Sequence, residues 1–185
     1  KEHPICFQLL GLCSTLAVSN KVENALAMGL GVTFVVMASS WVVSLLRNVT
    51  PPQFRMITYM VVASALVIFV DQAFRAYLPV ISKQLGPYVA LIITNCIVMG
   101  RQEAFAVKNA PFDTILDGLG NGIGYTYSLL ILASIREVLA FGSIFNIPVV
   151  SADFPRWVVM AMAPGAFFLL ALYRWIFRTL AKFAP

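Results

Sequence analysis

Residues 25–46, ALAMGLGVTFVVMASSWVVSLL, run without one charged side chain. At about 1.5 Å per residue such a run is as long as a hydrocarbon layer roughly 30 Å thick. Only a helix or a closed barrel satisfies its own backbone in that layer, and the absence of strand-like alternation selects the helix. Residues 56–78, 119–141 and 157–180 repeat the pattern, with Asp71 and Arg75 marking the last turns of the first of these and APG at 163–165 offering a kink in the last. Composition agrees, since 60% hydrophobic and 11% charged residues with a mean hydropathy of +0.86 lie outside the range of soluble domains. An all-α integral membrane protein follows, a single membrane domain over residues 1–185.

Two further apolar stretches, ICFQLLGLCSTLAV at 5–18 and YVALIITNCIVMG at 88–100, are too short for simple spans and suit re-entrant or broken helices. Each leads a group of one short and two full segments, so the chain divides into halves of about 5–80 and 85–180. LLGLC at 9–13 parallels IITNC at 92–96, and NALAMGLGV at 24–32 echoes TILDGLGNG at 114–122. Three crossings per half turn the second half upside down relative to the first, so six membrane segments form two inverted repeats.

The formal charge of +5 is not a nucleic-acid signal in such a chain; it reflects Lys and Arg in loops that set orientation and meet anionic lipid. Lys1, Arg47, Arg55, Arg101, Lys108, Arg178 and Lys182 outnumber Lys21, Arg75, Lys83, Arg136 and Arg156 on the opposite side, which places both termini in the cytoplasm. The chain opens KEHPICF without an initiator Met, so its natural start is expected upstream.

Broken helices of two inverted halves meet near the midplane, which brings Cys13 and Cys96 face to face. Free cysteines also pack as small hydrophobes, and a disulfide is open in principle. Metal binding accounts in addition for the placement of each thiol in a short, polar-flanked segment, and soft thiolates favour zinc, copper or iron–sulfur clusters. A 2Fe–2S cluster takes four thiolates, so two from this chain require two from another, in a heteromer or a homodimer. Cys6 lies two helical turns before Cys13, about 10 Å along an ideal helix, and reads as a packing residue. Gly11 offers close backbone approach beside Cys13, and Thr94 and Asn95 offer polar support beside Cys96, with helix–helix hydrogen bonding as the alternative use. Asp71, Glu103, Asp117 and the pair Arg136–Glu137 are candidates for an ion path, Asp71 and Glu103 foremost, against interfacial anchoring and local pairing. No catalytic acid–base constellation is evident, and the glycines of DGLGNGIG at 117–124 sit in an apolar helix where close packing is their use.

LLGLCSTLAV, VSLLRN, LIITNCIVMGRQEAFA, DGLGNGIGY, REVL and APGAFF together resemble the family of membrane subunits shared by the bacterial Nqr complex (its D and E subunits) and the Rnf complex (its A and E subunits). The likeness is collinear over almost the whole chain, and VDQAFRAYLPVISKQLG and ITNCIVMGR stand nearer the Nqr version than the Rnf one. The resemblance implies a multi-pass subunit of the bacterial inner membrane in a sodium-transporting NADH:ubiquinone reductase. It implies an inverted partner, the homologous E subunit, beside the A, B, C and F subunits. It further implies that Cys13 and Cys96 ligate a 2Fe–2S cluster shared with that partner, while FAD, FMN and riboflavin belong to other subunits. The chain is then an electron relay with no complete active site of its own. An Rnf-type ferredoxin:NAD oxidoreductase subunit, an inverted-repeat secondary transporter and a scaffold with packed cysteines are the rival readings.

Overall fold

The computed structural model describes residues 10–77, 79–144, 147–148 and 162–183. In chain order they form α1 (Leu12–Val18), α2 (Val22–Leu46), α3 (Arg55–Tyr77), α4 (Pro79–Ile93), α5 (Cys96–Arg101), α6 (Pro111–Phe141) and α7 (Ala163–Phe183). A π-helical turn, Gln102–Ala106, continues α5, and two-residue strands β1 (Ser143–Ile144) and β2 (Ile147–Pro148) pair antiparallel after α6.

Helix limits follow local chemistry. Pro51 and Pro52 cannot continue α2, and they open a 3₁₀ turn that feeds α3. Pro111 occupies the first turn of α6, where its missing N–H costs nothing. Gly142 closes that helix with φ 69°, its N–H reaching the Val138 carbonyl at 3.0 Å. Between α4 and α5 the backbone of Asn95 turns extended, and its side chain accepts the Ile97 N–H. That capping bond starts α5 afresh instead of letting α4 run on.

Helix α2 is the hub, packed on α3, α4, α5 and α6. Its seam with α6 depends on missing side chains. A Cβ at Gly29 would lie 2.7 Å from Thr126, one at Gly122 would lie 2.6 Å from Thr33, and one at Gly118 would lie 3.0 Å from the Met37 backbone. As the index rises by four along α2 it falls by four along α6, so the two helices are antiparallel. The threonines meet in the seam, hydroxyl to hydroxyl at 3.3 Å, while each also donates to its own helix at Gly29 and Gly122. Close packing of the DGLGNGIG glycines is thus observed at Gly118 and Gly122, whereas nothing lies within 4 Å of a Cβ at Gly120. Val32, Val35, Val36, Ile92, Ile97 and Val98 fill the core beside this seam.

Among the described residues, four helical stretches are long and apolar enough to cross a membrane: Val22–Leu46, Pro52–Tyr77, Tyr88–Ala106 and Pro111–Ala140. Large apolar side chains stand exposed along them, Leu30, Phe34 and Trp41 on α2 and Ile57, Val61, Ile68 and Phe69 on α3. Lipid or partner helices account for such faces; water does not.

Several boundaries differ from expectation. The stretch expected over 88–100 gains the π-turn and reaches nineteen residues at Ala106, because Asn95 breaks the helix without ending the apolar run. The helix expected to begin at 119 begins at Pro111. The APG of 163–165 opens the described part of α7, and residues 157–161 ahead of it, on which the expected kink depends, lie outside the described residues. Cys6, with its expected packing role, and Lys1 and Arg156, with their expected part in orientation, lie outside the described residues.

Candidate functional site

The two cysteine turns meet. Cys13 is in the first turn of α1 and Cys96 is the first residue of α5. The backbone N–H of Gly11 donates to the Cys96 sulfur at 3.2 Å, across 85 positions of sequence. Gly11 has φ 80°, a left-handed conformation that glycine adopts without strain, and a Cβ there would lie 2.7 Å from Ile97 and 2.9 Å from the Tyr125 ring. Close backbone approach at Gly11 is therefore a fact of the fold. Both thiols are free, Cys13 exposed and Cys96 half-buried.

A buried polar cluster lies behind them. Asn95 caps α5 through the Ile97 N–H at 3.2 Å and donates from Nδ2 to the Ser14 hydroxyl at 3.1 Å. Ser14 is also 2.7 Å from the Tyr125 hydroxyl, and both Ser14 and Thr15 donate to the Gly11 carbonyl. The structure thus brings together Gly11, Asn95 and Cys96 of the sequence candidates; Thr94 is exposed instead. Sequence reasoning misses Ser14 and Tyr125. A signal exists, because GLGVT at 29–33 and GIGYT at 122–126 are near copies, and the second carries Tyr125 where the first has Val32.

The charged candidates occupy different surroundings. Asp71 pairs with Arg75 one turn on, at 2.9 Å, with the Arg75 side chain 65% exposed. Glu103 accepts the Tyr59 hydroxyl proton at 2.7 Å. Arg101 forms a two-pronged ion pair with Asp117 of α6, one arm at 2.9 Å. Asn121 donates to the same carboxylate at 3.0 Å. Arg136 and Glu137, expected near an interface, are buried. Glu137 accepts the Val22 N–H at 2.8 Å at the start of α2, and Arg136 holds Ser19 at 2.6 Å and the Leu16 carbonyl at 3.2 Å at the end of α1. Glu137 thus serves the start of α2, where Lys21 supplies no side-chain cap, and Arg136 takes up a carbonyl near the end of α1.

For a metal or cluster, this chain offers two thiols and one N–H aimed at a sulfur. Hydrogen bonds of that type offset thiolate charge in a low-dielectric setting. Among the described residues no group of three His, Cys, Asp or Glu side chains converges. Two thiols are half the number that a four-thiolate cluster takes, and Cys13 is exposed.

The family model described as "Rnf-Nqr subunit, membrane protein" matches residues 1–173. The D subunit of the Na(+)-translocating NADH-quinone reductase of Yersinia enterocolitica is 46% identical over 184 residues, 97% of this chain and 88% of that protein. Proteins of the same name from Yersinia pestis and Yersinia pseudotuberculosis match to the same extent. With the fold a set of long apolar helices and the likeness running nearly end to end, the chain belongs to the Rnf-Nqr family of membrane subunits.

Proposed function

We propose that this chain is the D-type membrane subunit of a sodium-translocating NADH:quinone reductase and relays electrons through the bilayer. Cys13 and Cys96 hold two corners of a 2Fe–2S cluster whose other two thiolates come from the homologous E-type subunit. The observation that carries this reading is the bond from the Gly11 N–H to the Cys96 sulfur, which joins the two cysteine turns at one place. The cluster supplies one-electron chemistry when bound. The chain's own residues hold its edge: Gly11 bears on one sulfur, Asn95 fixes the turn that carries it, and exposed Cys13 faces the partner. The family name covers Nqr and Rnf members alike, and the relatives named as D subunits of the Na(+)-translocating reductase favour the Nqr complex.

Six crossings in two inverted repeats complete the reading. Its support is the antiparallel α2–α6 seam, in which Gly29 and Thr33 exchange contacts with Gly122 and Thr126 as a two-fold axis in the membrane plane requires. The described α7 provides a further segment, although it lies outside the four helices that qualify by length and hydropathy. Asp71 and Glu103 are the ion-path candidates within this frame, tested by whether Asp71→Asn or Glu103→Gln raises the sodium concentration needed for half-maximal turnover.

The test of the relay is a contrast within the assembled complex. Cys13→Ala or Cys96→Ala abolishes the iron signal of this chain in electron paramagnetic resonance and stops NADH-driven quinone reduction. Reduction of artificial acceptors at the flavin-bearing partner survives, and Cys6→Ala leaves all three intact. A Cys96→Ala complex that keeps its quinone reductase rate and its iron signal sinks the assignment.

A further inference from the structure

Ser14 follows Cys13, Asn95 precedes Cys96, and the side chains of Ser14 and Asn95 meet beneath a tyrosine of α6. Ser14 has one hydroxyl proton and two lone pairs. Its proton goes to the Gly11 carbonyl at 3.1 Å, and one lone pair takes the Asn95 amide proton at 3.1 Å. The 2.7 Å contact with Tyr125 is then a bond that the tyrosine donates. The tyrosine ring acts on the same turn, since its Cε2 atom would lie 2.9 Å from a Cβ at Gly11. Hydroxyl and ring together clamp the Gly11 turn, and the N–H of that turn bears on the Cys96 sulfur. Tyr125 is wholly buried, Ser14 is 2% exposed and Asn95 is 3% exposed, so water does not replace these bonds.

We propose that Tyr125 is a positioning residue for the two cysteines: through Ser14 it locks the Gly11 and Asn95 turns together, and so holds the N–H donor on the Cys96 sulfur. This rests on the reading that Cys13 and Cys96 ligate an iron–sulfur cluster. An N–H donor on a ligating sulfur stabilises the added electron of the reduced state and holds the reduction potential up. Loosening the lock therefore lowers the potential and lets iron escape sooner. A tyrosine that served packing alone would affect melting and leave both unchanged.

The intact complex is compared as wild type, Tyr125→Phe, Ser14→Ala and the double variant, with Tyr127→Phe on an exposed position of the same helix as control. The readouts are the midpoint potential of the Cys96-dependent iron signal and the rate of iron loss to a chelator. Tyr125→Phe keeps the ring and removes only the donor, so the packing of α6 is preserved. Expected are a more negative midpoint and roughly tenfold faster iron loss for Tyr125→Phe and for Ser14→Ala. The double variant behaves like Ser14→Ala, because both changes cut one chain, and Tyr127→Phe matches wild type. Unchanged midpoint and iron loss in Tyr125→Phe overturn the lock while the cluster stands, even if melting falls. A wild-type complex without a Cys96-dependent iron signal overturns the cluster reading, and the lock with it.

Discussion

Gly11 and Cys96, 85 positions apart, share a hydrogen bond from backbone nitrogen to sulfur. It ties the start of the first short helix to the start of the second. Gly11→Ala attacks this bond in two ways. Alanine at φ 80° costs about 1 kcal/mol, and its methyl meets Ile97 and Tyr125 at 2.7 and 2.9 Å, overpacking worth about 1–3 kcal/mol more. The expected result is a lower melting temperature of the purified complex together with loss of iron. Retention of both at wild-type levels contradicts the close approach.

The α2–α6 seam makes a sharper contrast between neighbouring glycines. Gly122→Ala puts a methyl 2.6 Å from the Thr33 side chain and 2.8 Å from its Cα, which does not yield by rotamer change, so the helices must part. A destabilisation of about 1–3 kcal/mol is expected. Gly120→Ala, two positions earlier and with open space around it, gains up to about 1 kcal/mol of helix propensity. Thermal melting of the two variants side by side reads the difference directly, and equal behaviour refutes the seam.

Length and hydropathy make the long helices legible, because a lipid layer demands both and turn-forming prolines punctuate them. The thiols are legible for a related reason, since Cys13 and Cys96 stand in matching short segments. The support behind them is not. Ser14 and Tyr125 touch across 111 positions, and the departure of Tyr125 from Val32 between the two near-copy pentapeptides marks the tyrosine without pointing to Ser14. The pentapeptides GLGVT and GIGYT hold the register of the α2–α6 seam, while the alignment of 24–32 with 114–122 sets the halves three residues out of that register. Charged side chains look like segment ends because hydropathy penalises them anywhere. Arg101 and Asp117 escape that penalty by pairing, and Arg136 and Glu137 by capping helix ends.

Glu137 caps a helix to which it does not belong. The residue at the start of α2, Lys21, supplies no side-chain cap, and the Val22 N–H goes to the Glu137 carboxylate instead. Glu137→Ala strands that buried donor and is expected to cost about 1–2 kcal/mol. Glu137→Gln keeps an acceptor oxygen and recovers most of the loss. Melting curves that rank the glutamine variant with the alanine variant refute the cap.

Arg101 and Asp117 make the most consequential polar contact between α5 and α6. Both side chains are largely buried, at 9% and 15% exposure, so neither charge has water to fall back on. Removing one partner leaves the other charged and desolvated, which costs about 3–5 kcal/mol; replacing both by apolar groups of similar volume is often close to neutral. Asp117 also holds Asn121, so its loss frees a second polar group, while Arg101 stacks on the Phe105 ring at 5.6 Å and loses that contact when shortened. Arg101→Met and Asp117→Leu are therefore each expected to impair assembly and lower melting, and the double variant to be more stable than the sum of the two losses implies by at least about 1 kcal/mol. Strict additivity across this double-mutant cycle means that the two side chains do not act as a pair.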